Sequence, residues 1–550
     1  MRSRSRVEVA FVAVLATVAQ LPTYALGHVP IDEGQIVQIA HRLLTGERLY
    51  GDIYTGMFPG IYWLTAGLFR SFGTDVIVTR WAAIAVNTAT SVLVWTFTRV
   101  LAGRSWAWLA AVLYLALAVL SFPTFTMFAY SSVSLFCALA ALFCLLRYLE
   151  EGRVRDGVGL GALVVLCGVF KQNYGGILLV SGLLSLLWSR RDSVLAQRSV
   201  AAVLTAPVMA GLAIAVPVVG YQLWAGTFAA FLYDTLLVIG RSQLEAFREP
   251  IPPIFGPHPA AAGRFVFLYS PPLLFNYLMR GAPHVGSETV LALSGTCIRL
   301  GYGCALLALG AAPLLLVDRL RSPEPEARHA ARIVIPFAGL FFLGIFPAAI
   351  WSHLAVVLVP LLIVLALLGK RVADATDRLG AASVRLRRAA AVALAGGALA
   401  VVIQGSRDLR KWYSEPLGIA GASVRVAPEQ AELWRSAVDF LGTCARGDAT
   451  IFAAPDMPLL YVSTGKRNPT PFDLVIPGNV EDDVIVQRLR AAGTRCVVYN
   501  PTMYVQFRPF AELFPRTAAY FAAAFAVERR LGSEPGGWLG LERKDDGDGA

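Results

Sequence analysis

Two adjacent carboxylates, Asp32 and Glu33, follow the first hydrophobic stretch of the chain. Carboxylates held against a bilayer are costly to leave unpaired, so the pair indicates chemistry rather than packing. The alternative for Asp32 is structural, because an aspartate before a helix caps it by accepting a backbone N–H. The two roles are compatible. Two neighbouring carboxylates without further ligands nearby are a poor metal signature.

A lysine, Lys171, stands beside Gln172 inside a long apolar stretch. An intramembrane lysine is expensive unless it faces a cavity or a partner, so Lys171 is a candidate for a functional role. The alternative is that its long side chain extends to the membrane surface. His353 begins a later apolar stretch, where a structural role and a phosphate contact are both open. There is no Gly-rich phosphate loop after a strand and no Asp-x-Asp motif, which argues against a nucleotide-sugar site.

The composition predicts that these residues are positioned by a membrane protein. Of 550 residues, 56% are hydrophobic and only 15% charged, and the mean hydropathy is +0.59. This is more apolar material than a soluble core can bury. The apolar runs are continuous rather than alternating, which favours transmembrane helices over a barrel. The net charge of +11 does not indicate nucleic acid, because the basic residues gather in short loops between spans.

Eleven hydrophobic stretches are predicted to cross the membrane. They are 7–26, 58–73, 76–100, 105–122, 127–149, 157–189, 198–225, 289–317, 332–349, 353–369 and 388–404. The stretch 157–189 is long and polar in the middle, which indicates a broken helix or two half-spans. The first span lacks a small-residue cleavage site after it and is interpreted as an anchor.

Basic loops give the predicted orientation, because Lys and Arg mark the cytoplasmic side. The arginines before the first span place the N-terminus inside. Parity then places 27–57, 226–288 and the chain after 405 outside. Four arginines do not fit, since they fall in loops that this count makes external: Arg99, Arg104, Arg153 and Arg155.

The external loop 27–57 has the pattern of an ordered segment. Apolar residues recur at helical spacing from Ile36 to Leu44, with Gln35, Gln38, His41 and Arg42 on the other side. This predicts a short helix lying in the membrane interface. A Tyr-x-Asp-x-Tyr sequence of Tyr50, Asp52 and Tyr54 follows, and Pro59 opens the next span.

The second long external segment, 226–288, carries arginines among aromatic and proline-rich sequence. They are Arg241, Arg248, Arg264 and Arg280. The apolar piece within this segment is interrupted by prolines and too short to span, so it is interpreted as an interfacial loop and helix. An arginine there could hold a lipid phosphate through two hydrogen bonds. A solvated arginine is the alternative for each of them.

After residue 405 the pattern changes to that of a small α/β domain, covering 406–550. Helical segments such as 429–441 and 480–493 alternate with β-rich segments at 449–455, 494–500, 525–531 and 537–543. Cys444 lies just before the first of these strands and Cys496 within the second. Neighbouring parallel strands in an oxidising compartment predict a disulfide between them.

Four segments carry a resemblance to a known group. They are IDEGQIVQIAHRLLTGERLYGDIYTGMFPGIYWL, GVFKQNYG at 168–175, PAAIWSHL at 347–354 and TGKRNPTPFD in the C-terminal domain. In order and spacing relative to the spans, they resemble GT-C membrane glycosyltransferases, the group with protein O-mannosyltransferases, aminoarabinose transferases and glycosyltransferase family 39. The implied fold is a polytopic helical membrane domain over 1–405 with a small extracytoplasmic α/β domain.

The resemblance implies an inverting transfer of a sugar from a polyprenyl-phosphate donor to a hydroxyl of a glycan, lipid or protein on the extracytoplasmic face. In that chemistry Asp32 is the general base, while Glu33 positions the acceptor or binds a divalent cation, the one cofactor left open. Tyr50, Asp52 and Tyr54 are expected at the substrate. The donor phosphate is expected to contact four residues, Lys171, Gln172, His353 and Arg264.

Two other classes remain open on the sequence. A transporter or flippase of polyprenyl-linked sugars would also have about a dozen helices, but would tend to show internal repeats, and none is visible. A non-catalytic lipid-binding protein is the third class, and it would tolerate Asp32→Asn. The expected location is a bacterial inner membrane, with the C-terminal domain extracytoplasmic.

Overall fold

Apolar helices make up most of the chain, as the continuous hydrophobic runs predict. The computed structural model describes residues 3–255, 267–280, 287–377, 381–447, 449–477, 480–502, 508–532 and 537–544. Within them, seven helices are long and apolar enough to cross a membrane. The predicted class, a mainly helical multi-pass membrane protein with a small α/β region, is confirmed.

Most of the described long helices lie where the sequence predicts spans. Up to residue 224 they are α1 (Ser3–Gln20), α2 (Gln35–Leu44), α3 (Gly60–Phe72), α4 (Val76–Ala102), α5 (Arg104–Leu120), α6 (Tyr130–Glu151), α7 (Val154–Phe170), α8 (Gln172–Arg190) and α9 (Val200–Trp224). From there to residue 412 they are α10 (Phe228–Leu232), α11 (Leu244–Ala246), α12 (Pro272–Arg280), α13 (Ser287–Leu320), α14 (Pro325–Phe341), α15 (Trp351–Thr376) and α16 (Ala381–Trp412). A π-helical turn, Pro30–Gly34, precedes α2, and an 11-residue π-helix, Tyr233–Gln243, follows α10.

The C-terminal part alternates helices and strands. Its helices are α17 (Pro428–Cys444), α18 (Leu459–Thr464), α19 (Asp482–Ala491), α20 (Phe510–Leu513) and α21 (Pro515–Ala524). Its strands are β1 (Glu415–Pro416), β2 (Arg425–Val426), β3 (Ile451–Ala454), β4 (Cys496–Tyr499), β5 (Phe525–Leu531) and β6 (Trp538–Arg543).

The chain divides into two compact units. Unit 1 comprises Met1–Tyr24, Ala82–Gly220 and Arg248–Asp408, and unit 2 comprises Ala25–Trp81, Tyr221–Phe247 and Leu409–Ala550. In unit 1, α6 packs on α7 and α8, and α15 packs on α5, α13 and α14. Apolar side chains of α9 stay largely exposed, such as Met209 at 62% and Val216 at 61%. Such a surface suits a helix that faces lipid.

The long predicted span 157–189 is two helices, α7 and α8, that meet at Lys171. The backbone of Lys171 is extended, with φ −148° and ψ 106°, so the helix is broken at this residue. Where the two helices approach each other, a Cβ on Gly175 would lie 2.2 Å from the Cα of Gly168. The close approach therefore requires glycine at position 175. With 17 and 19 residues, each helix has close to the length of a full span.

The predicted span 58–73 is instead the short helix α3. It has 13 residues, fewer than the about 20 that cross a bilayer. Its Phe69 packs in a cluster of buried residues that includes Trp434 and Leu417 of the C-terminal part. The turn after α3 is also fastened to that part, because the Asp75 carboxylate accepts hydrogen bonds from the backbone N–H and hydroxyl of Ser423. The helix α3 is therefore shorter than the predicted span, and part of its apolar surface, including Phe69, packs against protein.

A four-stranded mixed sheet organises the C-terminal part of unit 2. The strand order is β3-β4-β6-β5, with β3 and β4 parallel and the other pairs antiparallel. Along β3, Ile451 and Ala453 pack into one cluster and Phe452 and Ala454 into another. This alternation is the two-residue period of a strand whose two faces are both covered. The predicted strand and helix segments of this region are thereby confirmed.

The predicted disulfide is also present. Cys444 at the end of α17 is bonded to Cys496 at the start of β4, with a Cα–Cα distance of 6.0 Å. One of the two clusters beside the sheet extends to Val37 and Ala40 of α2. The short helix after Asp32 and Glu33 is therefore held by the C-terminal part of the chain.

Candidate functional site

Asp32 and Glu33 lie in the π-helical turn Pro30–Gly34, which runs directly into α2. The N–H groups of Glu33 and Gly34 both donate to the Val29 carbonyl, at 3.1 and 3.0 Å. The N-cap positions are Val29 for the turn and Gly34 for α2, and neither end has a side-chain cap. Asp32 lies inside the turn rather than at its N-cap, so capping does not account for this aspartate.

Glu33 is locked in a buried ion pair with Arg80 of α4. The Arg80 Nη2 donates to Glu33 Oε2 at 2.6 Å, and Nε lies 2.5 Å from Oε1 as a close charge contact. His28 approaches the same carboxylate, with Nδ1 3.2 Å from Oε2. Burial alone raises the pKa of Glu33, but Arg80 and His28 outweigh it and hold that pKa below its ordinary value. Glu33 is therefore a carboxylate in this structure.

Arg80 also fixes the backbone before the turn. Its Nη1 and Nη2 donate to the carbonyls of Leu26 and Gly27 at 3.4 and 3.0 Å. The guanidinium is fully buried. The Arg80 side chain thus connects α4 to Glu33 and to the backbone that leads into the turn. These contacts hold the neighbouring Asp32 in position.

The pair does not form a metal site. Both oxygens of Glu33 are taken by Arg80 and His28, so the carboxylate has no edge open to a cation. In the part of the chain that the structure describes, no three His, Cys, Asp or Glu side chains are grouped as ligands. The residues present do not fit the divalent cation that the sequence left open.

Asp32 differs from Glu33 in being partly exposed. Its charge acts on Tyr62 of α3. The Tyr62 hydroxyl forms a 2.8 Å hydrogen bond with the hydroxyl of Thr55, in the loop that carries Tyr50 and Tyr54. In unit 2, Asp32 and this predicted substrate loop are thus brought into one neighbourhood.

Tyr50 is a strained residue of that loop. Its φ is +65°, the one positive value among the non-glycine residues that the structure describes. The conformation is held at both ends, because the Tyr50 N–H donates to the Ile53 carbonyl at 2.8 Å and its hydroxyl donates to the Met57 carbonyl at 2.7 Å. Burial raises the pKa of Tyr50 well above its ordinary value. Strain of this kind persists where the surroundings impose it, and it is concentrated at functional sites.

Asp52 and Tyr54 have different surroundings. Asp52 accepts hydrogen bonds from the backbone and side chain of Arg48, at 2.8 and 3.2 Å, which closes the loop on its exposed side. The Arg48 hydrogen bond lowers the pKa of Asp52. Tyr54 packs on Phe472, with ring centroids 5.6 Å apart, and its hydroxyl is buried.

The polar face of α2 is buried, in contrast to the interfacial helix that the sequence predicts. Gln38 is only 2% exposed and Arg42 only 4%. Arg42 Nη1 donates to Asp473 Oδ1 at 3.0 Å, and Asn468 Nδ2 donates to the same oxygen at 3.0 Å. Arg42 also bonds Glu47 at 2.6 Å. The polar face therefore attaches α2 to residues 468–473, part of the TGKRNPTPFD segment.

In unit 1, Lys171 and His353 lie near each other. The Lys171 Nζ donates to the Ser131 hydroxyl at 2.8 Å and lies 4.1 Å from the centre of the Tyr174 ring. Its charge acts on His353, whose Nδ1 donates to the Ala348 carbonyl at 2.7 Å. Gln172 is the first residue of α8. The predicted phosphate contacts Lys171, Gln172 and His353 thus belong to one unit, and Arg264 lies outside the described residues.

Sequence reasoning missed several residues of these two neighbourhoods. Arg80 was not predicted as a site residue. It lies inside the predicted span 76–100, where a single charged residue indicates that it has a partner. Asp473 is the last residue of the TGKRNPTPFD segment, and the sequence predicted no role for it. Asp234, in the segment 226–288, is a further buried carboxylate of unit 2.

Comparisons with known proteins agree with the motifs. Residues 58–221 match the family model of dolichyl-phosphate-mannose-protein mannosyltransferase. The comparison with curated proteins found no match. The resemblance to GT-C glycosyltransferases is confirmed by this family match and by the fold.

Among solved structures, ArnT from Cupriavidus metallidurans in the apo state is similar at a TM-score of 0.50 and 14% identity, over 98% of both chains. The structure of the same enzyme bound to undecaprenyl phosphate has a TM-score of 0.48 and 14% sequence identity, over 98% of both chains. The oligosaccharyltransferase of Archaeoglobus fulgidus tethered to an acceptor peptide has a TM-score of 0.49 and 12% sequence identity, over 98% of this chain and 74% of that one. The chain therefore has an ArnT-like fold.

Proposed function

We propose that this protein is a membrane glycosyltransferase that moves a sugar from a polyprenyl-phosphate donor to an acceptor hydroxyl, with inversion at the anomeric carbon. The observation that carries the proposal is the turn at Asp32, in which Glu33 is locked by Arg80 while Asp32 stays partly exposed. An ArnT-like fold and the mannosyltransferase family match over 58–221 support it. ArnT itself has been solved with undecaprenyl phosphate bound.

Asp32 serves as the general base. As the acceptor oxygen bonds to the anomeric carbon, its proton passes to the Asp32 carboxylate, and the bond from that carbon to the phosphate oxygen breaks. The phosphate leaves with the electron pair. Proton acceptance of this kind contributes about 10²–10⁴-fold to rate. Glu33 is held by Arg80 and His28, and its role is to position the turn.

Lys171 contacts the carrier phosphate. The leaving phosphate gains charge as the bond breaks, and a fixed cation lowers the cost of that charge. The Lys171 ammonium is oriented by Ser131 and the Tyr174 ring. Gln172, at the first position of α8, and His353 are the further polar groups proposed for this contact.

The orientation we propose has eleven crossings, but α3 is not among them and α7 and α8 count as two. Glu8 of α1 pairs with Arg99 and Arg104 at 2.6 and 2.7 Å, which supports an orientation in which the end of α4 lies on the same side as the N-terminus. When α3 does not cross the membrane, the loops with Arg99, Arg104, Arg153 and Arg155 lie on the cytoplasmic side. This agrees with the rule that basic residues are enriched on that side. Lys171 then lies at the outer end of a helical hairpin. The C-terminal domain is external.

The test is turnover by Asp32→Asn in purified protein in nanodiscs. Wild-type protein and the variant receive a panel of polyprenyl-phosphate sugars, with a membrane extract as the acceptor source, and release of carrier phosphate is followed. We expect turnover to fall by about 10²–10⁴-fold, with the unfolding temperature and donor binding retained. Asp439→Asn, at an exposed aspartate of the C-terminal part, is the matched control and should be as active as wild type.

The outcomes separate the three classes. Turnover of Asp32→Asn within a few-fold of wild type removes Asp32 as the base. Wild-type protein that releases no carrier phosphate but moves labelled donor across a liposome membrane is a transporter. Protein that binds the donor and does neither is a lipid-binding protein.

A further inference from the structure

The short helix α10 and the first residues of the π-helix after it have an unusual distribution of side chains. On one face Phe231, Asp234 and Thr235 are buried, at 5%, 9% and 1% exposure. The other face is apolar and exposed, with Leu232, Tyr233, Leu236 and Leu237 at 36–54%. The acidic residue thus lies on the protein side and the apolar residues on the outer side. An exposed face of this composition suits lipid.

Asp234 is isolated on its buried face. In the chain that the structure describes, its carboxylate makes no hydrogen bond and no ion pair. Burial raises the pKa of Asp234 to about 6, with no charged neighbour contributing. A buried carboxylate without a partner is destabilising, because it loses water and gains nothing in return. An unpaired acidic side chain in this position therefore indicates a ligand rather than packing.

The surroundings of Asp234 are aromatic and include the strained loop of unit 2. Phe231, one turn before Asp234, lies 5.1 Å from the Tyr50 ring and 5.0 Å from the Phe58 ring, between centroids. The charge of Asp234 acts on both Tyr50 and Tyr54. The buried Tyr54 hydroxyl also makes no hydrogen bond within the described chain. One acceptor and one hydroxyl without partners therefore lie in one aromatic neighbourhood.

We propose that Asp234 and Tyr54 form a subsite for a sugar ring. Sugar hydroxyls donate to the Asp234 carboxylate and accept from the Tyr54 hydroxyl, and the aromatic side chains contact the C–H face of the ring. Sites for small polar ligands combine apolar walls with a few fixed polar groups in this way. The identification of the ligand as a sugar rests on the proposed function. The ring belongs either to the donor or to a glycan acceptor, and the experiment separates these sources.

The first measurement is the stability of Asp234→Asn without substrate. Because the carboxylate is unpaired and belongs to a largely buried side chain, the amide should leave the unfolding temperature at pH 7 unchanged or raise it. Asp439→Asn, an exposed Asp-to-Asn change in the same unit, is the matched control. A drop of several degrees for Asp234→Asn alone assigns a structural role to this residue and overturns the proposal.

The second measurement is binding to wild-type protein and Asp234→Asn in nanodiscs. The probes are undecaprenyl phosphate, the same lipid carrying mannose or arabinose, and the methyl glycosides of the two sugars. We expect Asp234→Asn to lower the affinity for a sugar-bearing probe by about 10- to 100-fold, the usual cost of losing a hydrogen bond to a charged group. Binding of bare undecaprenyl phosphate should be unchanged. Asp234→Glu, which keeps the charge, should retain part of the affinity.

Each result has a defined meaning. If Asp234→Asn binds only the lipid-linked sugars more weakly than wild type, the subsite belongs to the donor. If it binds the methyl glycosides more weakly, the subsite belongs to the acceptor. Equal affinity of wild type and Asp234→Asn for every probe overturns the proposal, as does a wild type that binds no sugar-bearing probe more tightly than bare carrier. Protein that binds sugar through Asp234 but does not turn over leaves this inference standing and removes the proposed function instead.

Discussion

At the scale of single residues, the Glu33–Arg80 pair shows how Asp32, the aspartate we propose as the general base, can be held in position by its neighbour. A buried ion pair is not by itself a large source of stability, because both charges lose water. Removal of one partner is costly, since the other charge is then buried alone. Arg80 meets both Glu33 and the backbone of residues 26 and 27. Its loss should therefore affect both stability and the position of Asp32.

Arg80→Ala is expected to destabilise the protein by about 3–5 kcal/mol. Arg80→Lys should be intermediate, because one ammonium cannot replace the planar guanidinium at several acceptors. Chemical unfolding in detergent micelles measures the effect. The matched change is Arg516→Ala, which removes an exposed ion pair with Asp483 and should alter stability little. If Arg80→Ala is as mild as Arg516→Ala, the Glu33–Arg80 pair does not hold the turn in place.

Lys171→Ala is expected to depress turnover strongly, while Lys171→Arg retains part of it because the positive charge survives. The partial loss with arginine follows from geometry, since the Ser131 hydroxyl and the Tyr174 ring fit an ammonium. Carrier phosphate release measures both variants. Lys370→Ala, at a lysine paired with Asp374, controls for the loss of a lysine as such. Equal and mild effects of both Lys171 variants would assign this lysine to packing.

At the scale of elements, the break between α7 and α8 presents Lys171. The extended backbone at residue 171 reverses the chain between two helices that approach closely at Gly168 and Gly175. No side chain larger than hydrogen fits at residue 175 without moving backbone. The position of the lysine thus depends on a glycine contact four residues away.

Gly175→Ala should destabilise the protein by about 1–3 kcal/mol, as overpacking does, and should lower turnover through Lys171. Its Cβ would lie 2.2 Å from the Gly168 Cα and 2.6 Å from the Gly168 nitrogen, which are backbone atoms. The neighbouring Gly176→Ala is the control, because nothing lies within 4 Å of its added Cβ. The thermal unfolding temperatures of the two variants test the prediction. Similar temperatures would mean that α7 and α8 can separate freely.

At the scale of the whole molecule, the route of the chain through the membrane depends on α3. A crossing α3 puts the turn at 73–75 inside and the turn at 103 outside, and a non-crossing α3 reverses both. We propose the second arrangement, because α3 has only 13 residues and the Asp75 carboxylate accepts hydrogen bonds from Ser423. The pairing of Arg99 and Arg104 with Glu8 agrees with it.

Cysteine labelling in cells tests this route. The parent chain carries alanine at the five unpaired cysteines, Cys137, Cys144, Cys167, Cys297 and Cys304. Ser71→Cys should react with a membrane-impermeant thiol reagent added outside, and Ser105→Cys should react only after the membrane is opened. Both positions are exposed. The opposite pattern at both sites would restore α3 as a crossing and overturn the orientation.

The sequence by itself determined the class of the protein, most of its helices and the α/β pattern of its C-terminal part. These follow from local properties, because continuous apolar runs without water must be helical and alternating short runs form strands. It also predicted the Cys444–Cys496 disulfide, which the structure contains. The functional roles of Asp32, Glu33 and Lys171, inferred from the cost of charge at a membrane, stay predictions.

Tertiary structure alone decided which of these residues are engaged and by what. Arg80 is 47 residues from Glu33, and Asp473 is 431 residues from Arg42, and no local pattern encodes such pairings. The same holds for α3, which has the composition of a span but packs Phe69 into a cluster with Trp434 of the C-terminal part. Hydrophobicity records that a surface must leave water, and only the packed chain decides whether protein or lipid covers it.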